Sequence, residues 1–153
     1  MNRSKRRRLR LAGLVAVMAT AVLTAPSSAF ASASPCSTGI YFECMSLSGT
    51  GLHVDSVYGE FWILQGQTAS GTFQQQARVT KPNGNILRYW SPTSKKNCTS
   101  SQFLPAQCWR YQFTSLTNTT WPDQTQICTG TFQVYNDGSK QLASGWACAT
   151  VHS

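Results

Sequence analysis

Apolar and polar positions alternate with a period of two along most of the chain beyond residue 40, and no stretch of ten residues carries a helical period. The clearest case is Gln126 to Val151. Two runs rich in β-branched and aromatic residues flank Asn136-Asp137-Gly138-Ser139, a hairpin signal. Cys128, Phe132 and Val134 share one face of the first run, with Gly130 between them, and Leu142, Trp146 and Cys148 share one face of the second. A three-residue loop, Asp137 to Ser139, pairs Asn136 with Lys140 and sets Cys128 opposite Cys148. A two-residue loop would turn the second arm's apolar face the wrong way. This cysteine-bearing face is expected to be covered by the rest of the chain.

The same alternation predicts strands upstream. Ile40 to Leu47 is strand-like, Ser48 to Gly51 is a turn, and Leu52 to Leu64 is a long strand bent or bulged at Gly59. From Thr72 to Thr80, Phe73, Gln75, Ala77 and Val79 take one face, and Gln74, Gln76, Arg78 and Thr80 form a wholly polar one. Pro82-Asn83-Gly84-Asn85 is a tight turn, from which Ile86 to Trp90 returns as the partner strand. Ser91 to Gln107 reads as irregular, Cys108 to Phe113 as a short strand, and Thr114 to Thr125 as a loop. About seven strands without a helix predict an all-β fold: an antiparallel immunoglobulin-like β-sandwich, with a small barrel as the alternative.

The N-terminus changes how charge is read. Arg3, Lys5, Arg6, Arg7, Arg8 and Arg10 precede an apolar run from Leu11 to Leu23 that is too short to span a bilayer. Ala29-Phe30-Ala31 fits a small-x-small cleavage site. Residues 1–31 are therefore expected to be a signal peptide, 32–39 a flexible arm, and 40–153 a single domain, secreted to the extracellular space. The chain has 13 basic and 5 acidic residues. Six basic residues leave with the signal, so the mature protein carries 7 basic and 5 acidic, net +2. That balance argues against nucleic acid or a membrane surface as a partner.

Cys36, Cys44, Cys98, Cys108, Cys128 and Cys148 all follow the signal, and an even count in an exported chain reads as disulfides. Six cysteines allow 15 connectivities, which sequence alone does not resolve. Nearest-neighbour pairing, 36–44, 98–108 and 128–148, is the expectation. No Cys-x-x-Cys pair is present and His53 and His152 stand alone, so no metal or cofactor is expected.

Catalysis has few candidates. A triad could be drawn from His53, Asp55 and a serine, but no nucleophile-elbow motif accompanies them. Glu43 and Glu60 are a carboxylate pair of unknown separation. The expectation is a non-enzyme that works by binding. Three segments carry it. Trp121, in a polar loop before Pro122, is either an exposed anchor or folds back over the sandwich. The loop closed by Cys98 and Cys108 either displays Phe103 and Leu104, as protease inhibitors do, or caps the core with them. The arm through Pro35 to Ile40, Tyr41 and Phe42 is suited to adding a strand to another protein's sheet.

The signal, the six cysteines and the hairpin ending in Ser-Gly-Trp-Ala-Cys-Ala-Thr-Val resemble small secreted β-proteins of filamentous actinomycetes. Within that group the layout is similar to the adaptor subunit of umbrella toxin particles. The resemblance implies a β-sandwich adaptor in an antibacterial toxin complex, joining a lectin-bearing to a toxin-bearing subunit. It also implies that the arm from Pro35 to Phe42 enters a partner. Subtilisin-inhibitor-like proteins share export and size but usually carry fewer cysteines. Protease inhibition through the 98–108 loop and carbohydrate binding through Trp121 are the alternative functions.

Overall fold

The computed structural model describes residues 33–153, so the expected signal lies outside the described residues. Ten antiparallel strands form two sheets. Sheet A contains β1 (Tyr41–Thr50), β2 (His53–Ile63), β6 (Ala106–Gln112) and β7 (Thr119–Thr120). Sheet B contains β3 (Thr68–Thr80), β4 (Ile86–Trp90), β5 (Ser94–Thr99), β8 (Thr125–Val134), β9 (Lys140–Leu142) and β10 (Ala147–Val151).

Ten strands reduce to seven arms. β4 and β5 pair successive stretches of β3, β6 and β7 successive stretches of β2, and β9 and β10 successive stretches of β8. Lettered A to G in chain order, arms A, B and E face arms G, F, C and D. This is an immunoglobulin-like strand order with the fourth arm paired to C instead of E. The segment expected to be irregular after Ser91 thus contains β5, whose half-buried and exposed positions alternate as at a half-wetted edge although its residue types do not.

The three disulfides join Cys36 to Cys44, Cys98 to Cys108 and Cys128 to Cys148, the nearest-neighbour set. Cys98 lies in β5 and Cys108 in β6, so that bridge ties sheet B to sheet A. The expected free arm is instead laid along β1. Ala33 and Leu47 exchange two backbone bonds of 2.9 Å, and Ser37 N donates to Glu43 O at 2.7 Å. An exposed strand edge leaves donors and acceptors unpaired, and residues 33–37 satisfy them here.

The last hairpin has the expected cysteine register, Cys128 opposite Cys148, but differs at its turn. Tyr135 and Ser139 close the loop, with Gly138 at φ +81°, and Phe132 faces Leu142. The two registers are reconciled by a bulge between β9 and β10, where Ala143 N and Ser144 N both donate to Thr131 O.

The hairpin's faces are the reverse of the expectation. Ile127 pairs with Val79 and Thr129 with Ala77, and these residues are buried between the sheets. Cys128, Phe132, Leu142 and Trp146 therefore lie on the outer face of sheet B, beside Arg78 and Gln74. Residues opposite one another in a sheet share a face, so the apolar inner face of β3 decides which face of β8 turns inward. Both faces of the hairpin carry apolar side chains, and only this pairing separates them.

The core is in two parts. One surrounds Met45, Val54, Val57, Val79, Leu116 and Ile127, and the other Phe61, Ile63, Ala69 and Phe73. Between them lies a buried polar layer of Glu43, Gln75, Thr129 and Thr131. Gly59 borders it, since a Cβ there would stand 2.7 Å from Glu43 Oε1 and 3.0 Å from Gln75 Oε1. The glycine expected to bend β2 instead makes room for a carboxyl group. The irregularities in sheet A fall at Ser48/Gly49 and Phe61/Trp62.

Candidate functional site

The smaller core cluster underlies the end of the sandwich where β1 begins, β2 ends and β5 crosses to β6. Tyr41 is half-buried there. Its hydroxyl donates to Thr68 O at 2.9 Å and its ring lies 6.0 Å from that of Phe61. Leu64 N donates to Ile40 O at 2.9 Å, linking the entry of β1 to the exit of β2. Gly66 N donates to Ser101 O at 2.7 Å, and Ser100 N to Gln67 O at 3.0 Å, linking the β2–β3 loop to the β5–β6 loop. The Ser100 hydroxyl also donates to Leu64 O.

The β5–β6 loop is held at both scales. The Cys98–Cys108 bridge closes its base. Near its tip, Ser101 Oγ accepts from Leu104 N at 2.9 Å and Phe103 N at 3.3 Å, an ST-turn before Pro105. Phe103 is 86% exposed and Leu104 68%, so they do not cap the core. Ile40 is 56% exposed and Leu64 36%. Four large apolar side chains thus share one end of the molecule on connected backbone. Of the segments expected to bind partners, the start of β1 and the bridged loop converge at this end.

The other expected residues lie elsewhere. Pro35 is half-buried, its carbonyl accepting from Met45 N at 2.9 Å. Phe42 is half-buried, its ring stacked 6.2 Å from Trp62. Trp121, expected as a possible exposed anchor, is 7% exposed and belongs to the larger core cluster. Its backbone N donates to Leu52 O at 2.9 Å, which turns the indole inward over the sandwich end. Leu64 was missed as a site residue. Its signal was an apolar residue at the end of a long strand, immediately before the polar Gln65-Gly66-Gln67 loop.

The carboxylates and His53 each have a partner within the fold. Glu43 is fully buried, and burial pushes its carboxyl up to about 8, opposed by the Thr131 hydroxyl, which donates to Oε2 at 2.8 Å. Glu60 accepts from Ser46 Oγ at 2.8 Å and pairs with Arg110 at 3.2 Å. His53 lies 3.4 Å from Asp55 at the surface, and its other ring nitrogen is 3.1 Å from the Thr120 hydroxyl, not from a serine. Asp123 is held below the usual carboxylate range by the backbone N–H of Ser153, and Asp137 by the Ser139 hydroxyl and N–H. Among the described residues no helix is long and apolar enough to cross a membrane.

Breaking the base of the loop tests its rigidity. Replacing Cys98 and Cys108 together by Ser is expected to lower stability by about 2–4 kcal/mol. It should also raise hydrogen exchange at Phe103 and Leu104, measured by mass spectrometry. No family model matches this chain, and no curated protein or solved structure is similar enough to count as a match.

Proposed function

We propose that this is a secreted, non-catalytic adaptor that assembles with other secreted proteins through the end carrying Ile40, Leu64, Phe103 and Leu104. The observation that carries the reading is the exposure of Phe103 and Leu104 at the tip of a disulfide-closed, Ser101-capped loop. Exposing such residues costs solubility and contributes nothing to the core, whereas a pre-ordered apolar tip loses little entropy on binding. The resemblance to umbrella toxin adaptors makes toxin-bearing and lectin-bearing subunits the partners of first choice. The arm is already paired to β1, which favours the loop end over arm insertion as the docking surface.

Tagged protein recovered from culture supernatant is expected to bring down stoichiometric partners. Changing Phe103 and Leu104 to Ser should weaken that association by roughly 30-fold or more, the effect of losing an interface anchor of about 2 kcal/mol. The thermal midpoint should hold. Recovery as a lone monomer rejects the reading. The same rigid loop also suits a protease inhibitor, and titration against subtilisin-like and trypsin-like proteases separates the two. Carbohydrate binding through Trp121 loses its support, because the indole is buried.

A further inference from the structure

The modest net charge conceals a segregation of sign. Of the seven basic residues among those described, Arg78, Arg88, Lys95, Lys96 and Lys140 lie in strands of sheet B, and Lys81 follows β3 directly. Arg110 is in sheet A. The strands of sheet B hold no carboxylate, whereas Glu43, Asp55 and Glu60 are all in sheet A. Asp137, in the turn at the end of β8, has its Oδ1 taken by the Ser139 hydroxyl at 2.6 Å and N–H at 2.9 Å.

Strand register places four of these cations on the outer face. Arg78 lies opposite both Cys128 and Arg88. Lys140 lies opposite Val134, which is opposite Thr72, which is opposite Lys95. From Arg78 to Thr72 along β3 is about 20 Å. Between the two basic rows stands an aromatic group. Phe132 meets Trp90 at 5.2 Å and Trp146 at 5.7 Å, edge-on to both. Arg78 lies over the Trp146 ring at 4.6 Å and Lys140 over the Trp90 ring at 4.1 Å. Beyond Lys95 the face continues into an open cleft of about 350 Å³ lined by Ser70, Gly71, Thr72, Lys95, Lys96 and Asn97.

The opposed arginines are the telling feature. A like-charge pair directly across two strands is unfavourable for folding. Features that oppose folding are retained at sites of function. We infer that the outer face of sheet B binds an anionic polysaccharide, with Arg78 and Arg88 at one end of the bound stretch and Lys140 and Lys95 at the other. Arginine forks pair with carboxylates in two parallel bonds, and lysines add unoriented charge. Thr72, Thr80, Gln126 and Thr150, on the same face by register, supply partners for sugar hydroxyls. Single-stranded nucleic acid fits less well, because it needs open aromatic faces on which to stack bases. Here each Trp ring already has a cation over it.

The test uses the protein recovered from culture supernatant and polygalacturonate as the probe, in affinity electrophoresis and calorimetry. Binding is expected at 50 mM salt, weakening about tenfold or more by 200 mM, with no binding to uncharged dextran. Arg88→Gln combined with Lys95→Gln, two exposed side chains, should weaken binding at least tenfold while the thermal midpoint holds or rises, because the Arg78–Arg88 repulsion is relieved. The Phe103 and Leu104 replacements should leave it intact, which separates this face from the apolar end. Absence of binding at 50 mM salt, equal binding by the double variant, or tighter binding of single-stranded DNA than of polygalacturonate each overturns the proposal.

Discussion

Replacing Glu43 by Gln is expected to stabilise the protein at pH 7 and above, on the order of 3 kcal/mol, and to flatten its stability between pH 5 and 8. The carboxyl sits among Gln75, Thr129 and Thr131 with no exposure, and burial raises it from 4.5 to about 8. Below pH 4.5 it is protonated folded and unfolded, and contributes no pH dependence. Between 4.5 and about 8 the unfolded chain releases the proton and the folded one keeps it. The folded state then binds more protons, so stability falls as pH rises, by about 1.4 kcal/mol for each pKa unit of displacement. Above pH 8 both states are ionised and the full loss is present. Glutamine keeps the shape and cannot ionise. Thermal melts of both proteins from pH 4 to 9 check this, because the difference between the two curves isolates Glu43 from every other titrating group. A constant difference across that range would contradict the assignment.

Phe61→Ala is expected to cost about 3–5 kcal/mol, the usual loss for a large buried aromatic. Phe61 is fully buried, and its ring centre lies 5.1 Å from Phe73 and 6.0 Å from Tyr41. It stands between the polar layer and the apolar end, so its loss leaves a cavity beneath the proposed docking surface. At about 2.1 cal/mol/K per residue over about 120 residues, the thermal midpoint falls by roughly 12–20 °C. Phe61→Leu, which keeps most of the volume, should cost less than about 1.5 kcal/mol. Calorimetric melts of both variants measure the contrast. Equal midpoints would mean that the smaller cluster is not a packed core.

Much of the fold was legible because turn chemistry and period-two alternation are local. The Pro82 to Asn85 turn, with Gly84 at φ +80°, sets Thr80 opposite Ile86 as the alternation requires. The expected Cys128–Cys148 register is also present, but not through the expected turn: the loop closes at Tyr135 and Ser139, and the bulge before β10 restores the match. The break between β9 and β10 was not legible, because it depends on the Ser144 hydroxyl accepting from the N–H of Thr131, a side-chain contact that no propensity records. Glu43 was legible only as one of a carboxylate pair of unknown separation, and its burial brings it to Thr129 and Thr131 of β8, far along the chain. Phe103 and Leu104 were legible as a pair either displayed or capping the core, and their exposure and grouping with Ile40 and Leu64 rest on bonds between three separate loops.

Alternation along the chain, its turn residues and its six cysteines were enough to predict an antiparallel all-β fold and to favour a sandwich and nearest-neighbour disulfides, though not to single out one of the 15 connectivities. Which side of the last hairpin faces the core was decided only by tertiary pairing with β3. A period of two defines two faces without saying which is inside, and the neighbouring strand makes that choice. Val79 and Ala77 drew Ile127 and Thr129 inward and left Cys128, Phe132 and Trp146 outside with Arg78. The same pairing gathered basic residues scattered from 78 to 140 onto one sheet, a field that the net charge of +2 over the described residues does not reveal.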